Sequence, residues 1–124
     1  MNVVDSSGWL EYFTEGKNAR YFDAPIADVA QLLVPVICIY EVFKVVCQRA
    51  GEDKAIRAIA HMKEAEVVDI SEQIALGAAQ IAISENLAMA DSMILATART
   101  RNATLWTLDA DFEGIPGVRF YRKR

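Results

Sequence analysis

The chain has 124 residues, 53% of them apolar and 24% charged, and a formal net charge of −4. That length suits one domain, here residues 1–124, and the composition is that of a globular chain able to bury a core. The acidic balance excludes a protein that holds nucleic acid by bulk charge alone, although two bound divalent cations would cancel it.

In chain order, the first expected element is a strand at 2–4, which ends on Asp5 in Val-Val-Asp-Ser-Ser. A carboxylate that closes an apolar strand is seldom fully solvated. A second strand is expected at 34–37, followed by a helix with the stripe Ile39, Val42, Phe43, Val46 and Ala50, which Gly51 ends as a C-cap. Glu41 then falls in that helix's first turn. The stripe Ala55, Ile56, Ile59, Ala60 predicts the next helix, and 66–70 a third strand. Ile74, Ala78, Ile81 and Ala82 mark a helix over about 71–85, and Ala90, Met93, Ile94, Thr97 and Ala98 mark another that Asp91 opens. The last strands are expected at 104–107, just before Asp109 and Asp111, and at 118–121.

Strand–helix alternation of this kind implies right-handed crossovers and a parallel sheet covered on both faces. Ligands of such sheets bind at the carboxyl ends of the strands. Asp5, Glu41, Asp109 and Asp91 all fall on that edge, provided the helix over 71–85 lies across it. Each acid taken singly has a plainer reading: Asp91 as an N-terminal helix acid, Asp109 and Asp111 as turn formers, Glu41 as a solvated side chain. Their joint placement is what points to a shared site. Converging carboxylates repel unless cations neutralise them, and oxygen donors without histidine or cysteine suit Mg²⁺ or Mn²⁺. The chemistry implied is hydrolysis of phosphodiester bonds.

Other chemistry is poorly supported. His61 is the only histidine, expected at a helix end or surface, so no Ser/His/Asp set assembles. Ser6 and Ser7 read as hydroxyls that orient Asp5 or cap the next helix. Cys38 and Cys47, nine residues apart on one expected helix, would be ~13 Å apart and are read as buried thiols. The four methionines are read as core fillers. Arg119, Arg122, Lys123 and Arg124 form a basic terminus, read as solvated, with contact to RNA as the alternative. Asp5 precedes any apolar run, and the stretch 29–40 is short and interrupted by Gln31 and Pro35. Neither a signal peptide nor a membrane span is expected, and the protein is expected in the cytosol.

The opening Val-Val-Asp-Ser-Ser, Glu41, Leu-Ala-Met-Ala-Asp-Ser-Met-Ile-Leu-Ala-Thr-Ala around Asp91, and Thr-Leu-Asp-Ala-Asp-Phe, whose Asp109 follows Asp91 by 18 residues, resemble the PIN-domain ribonucleases. The likeness is nearest to the VapC-type toxins of toxin–antitoxin pairs and spans almost the whole chain. It implies a three-layer α/β/α sandwich around a parallel sheet of about five strands. It also implies Asp5, Glu41, Asp91 and Asp109 as catalytic, metal-holding acids, with Asp111 a further candidate and Ser7 and Thr107 supporting hydroxyls. Cleavage of RNA with Mg²⁺ or Mn²⁺, a protein antitoxin and a homodimer follow from the same likeness. One departure is Met89, where the family often has Ser or Thr two residues before the aspartate. Two alternatives remain: a PIN fold that only binds partners, and a receiver-like signalling domain with Asp69 as its acid. The receiver reading lacks the expected acid pair after the first strand and the lysine after the fifth.

Overall fold

A computed structural model describes residues 1–124. Five parallel strands form one sheet in the order β3-β2-β1-β4-β5: β1 Asn2–Val4, β2 Leu32–Pro35, β3 Glu66–Val68, β4 Thr104–Thr107 and β5 Val118–Phe120. Six α-helices connect them: α1 Ser6–Phe13, α2 Asp23–Ala27, α3 Val36–Ala50, α4 Glu52–Met62, α5 Glu72–Glu85 and α6 Met89–Thr100. The chain leaves β1 for β2 and β3, then returns across the sheet to β4 on β1's other side. Right-handed crossovers in opposite directions place helices on opposite faces, which gives the three-layer sandwich expected. The order also excludes the receiver reading, because that fold runs 2-1-3-4-5. Asp69, the acid that reading needed, is exposed beyond β3.

The strands are short and apolar: Val3, Val4, Leu33, Val34 and Leu105 are wholly buried, joined by Trp9, Phe22 and Phe112 in one core. The chain turns from β1 into α1 within one residue, with Asp5 as the N-cap accepting from the Gly8 backbone at 3.1 Å. This tight entry requires glycine at position 8, where a Cβ would stand 2.6 Å from Val4 Cγ1 and 2.7 Å from Phe22 Cε1. Gly8→Ala should therefore destabilise the protein by about 2–3 kcal/mol, read as a lower urea midpoint. An unchanged midpoint would mean that β1 and α1 can separate without loss.

Three expectations need correction. The second strand lies two residues earlier than 34–37, because Pro35 fixes its own φ, offers no N–H and ends the ladder opposite Val68. Val36 and Ile37, β-branched and read as strand, enter α3 instead, so Glu41 sits in the helix's second turn, not its first. The third strand stops at Val68 and the fifth at Phe120. Finally, Met62 is buried as a core filler, whereas Met89 is 70% exposed and Met1 39% exposed. Met89 also lies inside α6, whose cap position is Ala88, so its departure from the family removes no cap. Cys38 and Cys47 share α3 and are unbridged; Cys38 is buried as expected, whereas Cys47 is only part-buried. No helix is long and apolar enough to cross a membrane.

Candidate active site

The site lies where β1 and β4 run side by side, the point at which the strand order reverses. Asp5 follows β1 directly and is 3% exposed. Ser7 Oγ donates to its Oδ1 at 2.6 Å, and Thr107 Oγ1 donates to its Oδ2 at 2.7 Å. With the Gly8 N–H also on Oδ1, three of a carboxylate's roughly four acceptor positions are filled. The remaining one is on Oδ2. Burial pushes the Asp5 carboxyl up from the usual 3.8 to about 6, against those three hydrogen bonds, and Asp109 raises it slightly further.

Thr107 is wholly buried at the end of β4, and its hydroxyl also accepts from the Asp109 N–H at 2.9 Å. One side chain therefore fixes both Asp5 and Asp109. Asp109 caps the short 3₁₀ turn Ala110–Phe112 by accepting from the Asp111 N–H at 2.9 Å. The turn-forming reading of Asp109 therefore holds, and the same side chain also stands among the acids gathered at this edge. Asp91, in the first turn of α6, does reach this edge. Carboxylate oxygens of Asp91, Asp109 and Asp111 lie within 4.8 Å of one another. Partial burial, then the charges of Asp109, Asp5, Glu41 and Asp111, push Asp91 up from 3.8 to about 7. Asp5 and Glu41 act on it through their fields but stand outside that close trio.

Glu41 is held by a residue whose part was misjudged in the sequence. Ser6 Oγ donates to Glu41 Oε1 at 2.6 Å, so the two serines divide the work, Ser6 on Glu41 and Ser7 on Asp5. Their adjacency to Asp5 was the only available signal, and it could not say that one hydroxyl reaches a helix 35 residues away. Cys38 was also missed as a neighbour of the site. Its buried thiol is 3.9 Å from the Val4 carbonyl, and burial keeps its pKa well above the ordinary range, with Asp5, Glu41 and Asp91 adding to the effect. It stays protonated and inert. His61 ends α4 as expected but is only part-exposed, edge-on to Trp9, Tyr12 and Phe13, and takes no part in the acid cluster.

The geometry meets its counterpart in known proteins. The family model "PIN domain" matches residues 3–118. The chain belongs to the PIN-domain family. Its fold is similar to that of a toxin–antitoxin complex from Klebsiella pneumoniae at TM-score 0.81 and 26% identity, covering 96% of each chain. Two further likenesses rest on the fold. The sarcin-ricin loop cleaving toxin VapC20 of Mycobacterium tuberculosis matches at TM-score 0.79 and 16% identity over 94% of this PIN domain and 95% of that chain. VapBC-1 of nontypeable Haemophilus influenzae matches at 0.72 and 19% over 97% and 96%. A search of curated protein sequences found no match.

The donor set of this PIN domain fits a divalent cation. Three carboxylates approach one another, none is offset by a lysine or arginine in an ion pair, and every candidate donor is oxygen. Burial first and the neighbouring acids second raise the Asp91 pKa, so a cation placed there would relieve part of that cost.

Proposed function

We propose that this PIN domain is a divalent-cation-dependent endoribonuclease, the toxin of a toxin–antitoxin pair. The observation that carries the reading is the close approach of Asp91, Asp109 and Asp111 at the β1/β4 switch point, with Asp5 and Glu41 beside them. Asp91, Asp109 and Asp111 would hold Mg²⁺ or Mn²⁺, and Glu41 Oε2 and the free position on Asp5 Oδ2 would complete the shell directly or through water. When bound, the ion supplies charge stabilisation at the scissile phosphate and acidifies the attacking water. The chain's own residues prepare the site. Ser7, Gly8 and Thr107 fix Asp5, Ser6 fixes Glu41, and Thr107 ties Asp109 to Asp5. No side-chain nucleophile is needed, so water is the attacking group. All the acids required for catalysis are present, which favours an enzyme over a PIN fold that only binds partners.

Purified protein should hydrolyse single-stranded or loop RNA with Mg²⁺ or Mn²⁺ and lose that activity in excess EDTA. Cleavage that persists in EDTA across a broad RNA panel would refute the metal-dependent mechanism.

Partners follow from the surface. Ile39, Phe43, Ile56 and Ile59 line an apolar groove of about 550 Å³ between α3 and α4, and Ile56 is exposed there although its helical stripe pointed to the core. Ile83 at 85% exposure and Met89 at 70% leave the outside of α5 and α6 apolar as well. Faces of this kind mark protein contacts. The reading assigns one to an antitoxin segment, with an Arg or Lys placed against the acids, and another to a second copy of the chain. Light scattering should give twice the monomer mass at micromolar concentration. Co-expression with the product of a small gene found adjacent to this one should yield a complex in which cleavage is suppressed. A monomer that co-purifies with nothing would count against both partners.

A further inference from the structure

Four of the chain's 13 Lys and Arg residues fall in the last six positions, which hold no acid. In the structure these residues are pinned beside the site. The Tyr121 N–H donates to the Thr107 carbonyl at 2.9 Å, and its ring stacks on Tyr21 at 4.2 Å between centroids. The Arg124 N–H donates to the buried Asn18 Oδ1 at 3.1 Å. Arg122 and Lys123 are thus held between two fixed points. Phe120 pairs in register with Thr107, the residue that fixes Asp5 and Asp109.

Phe120, Arg122 and Lys123 line a cleft of about 550 Å³ whose other wall includes Ser7, Asp109 and Glu113. Asp109 belongs to both the cleft and the acid cluster, so the two adjoin. We propose that this cleft is a subsite for the nucleotide next to the bond that is cut, with Arg122 and Lys123 each on one of its two flanking phosphates and the Phe120 ring against its base. The proposal rests on the RNA-cleaving reading above.

Each lining group has capacity for that ligand. Lys123 makes no ion pair, the two in the structure being Arg101–Glu66 and Arg122–Glu113. Arg122 reaches Glu113 at 3.0 Å, but its side chain is 79% exposed and Glu113 is 52% exposed. An exposed pair of this kind contributes little, and a phosphate accepts both arms of a guanidinium. Arg119 is different, since it lies over the Trp106 ring at 4.7 Å and is not assigned to the subsite. Aromatic stacking and paired cations are the two means by which proteins hold single strands. They also resolve an apparent conflict, because a chain of net charge −4 attracts RNA only where its cations are gathered.

The test is fluorescence anisotropy with a labelled, randomised single-stranded RNA in EDTA across a potassium chloride series. Arg122→Ala combined with Lys123→Ala should weaken binding roughly tenfold and lower the salt slope by about 1.4, the value for two phosphate contacts on a single strand. The Mn²⁺-induced rise in melting temperature should match that of wild type. Phe120→Leu should weaken binding several-fold with no change in slope. If the double variant melts early, Lys123→Gln replaces it, with an expected slope change of about 0.7. Affinity and slope equal to wild type in these charge variants overturn the subsite, while RNA cleavage by wild type with Mn²⁺ keeps the enzyme reading intact. A wild type that neither binds nor cleaves RNA overturns both.

Discussion

Asp91→Asn should abolish metal-dependent RNA cleavage, with a loss of at least about 10²–10³-fold, yet leave the metal-free protein as stable as wild type or more so. Burial, and then the field of all the other acids, raise the Asp91 pKa to about 7. Near neutral pH a neutral amide removes that repulsion, a gain on the order of 1 kcal/mol once solvent screening is allowed for. The rise in melting temperature with Mn²⁺ should shrink sharply, because one of the three closest donors is gone. The plainer role for Asp91, an acid in the first turn of α6, predicts a different pattern. Loss of its interaction with the helix dipole would destabilise the protein by about 0.3–1 kcal/mol and leave the response to Mn²⁺ intact. Melts of both proteins with and without Mn²⁺ separate the two. Equal metal-induced shifts would remove Asp91 from the site.

Much of this site could be read from the chain because its acids sit at junctions. Asp5 closes an apolar strand and Asp109 follows another, so periodicity locates both on one edge, and Asp91, which opens a helix, joins them once the helix over 71–85 lies across that edge. Glu41 was harder to place. Pro35 ended β2 early, and the two β-branched residues after it were absorbed by α3 under tertiary packing. The error moved Glu41 by part of a helical turn without taking it off the edge. What periodicity does not encode is the hydrogen bonding between distant elements. Ser6 on Glu41 and Thr107 on Asp5 span 35 and 102 residues, and no local pattern marks either pair. The C-terminal cations are exposed, as read, but what pins their backbone was hidden for the same reason. The sequence presents a basic tail, whereas Asn18 and Thr107, both far away in the chain, turn it into a fixed wall.

The metal-free protein should lose stability as pH rises from 5 to 8, by about 2 kcal/mol once the part-exposed Asp91 is discounted for solvent screening, and Mn²⁺ should remove or reverse that trend. Asp5 and Asp91 both have folded-state pKa values above the usual 3.8, at about 6 and about 7. The native state therefore binds more protons than the unfolded chain between those limits. The stability this confers is complete below 3.8 and is lost as pH passes through 6 and 7. Because the two acids feel one another, the loss belongs to the pair and should be spread over the interval rather than divided into two steps. For a chain of this size the melting temperature should fall by roughly 8 °C. A cation at the acids favours their ionised forms, so its binding strengthens as they deprotonate. Metal-free and Mn²⁺-loaded melting curves should then diverge with rising pH, and cleavage should rise over the same interval. Asp91→Asn should remove the Asp91 share of the metal-free slope and leave the share that burial of Asp5 causes, which ties the difference to Asp91 rather than to carboxylates elsewhere. A metal-free melting temperature that climbs from pH 5 to pH 8, or a Mn²⁺ shift independent of pH, would mean that Asp5 and Asp91 are ionised throughout. Neither burial nor the neighbouring acids would then be raising their pKa values in the folded protein.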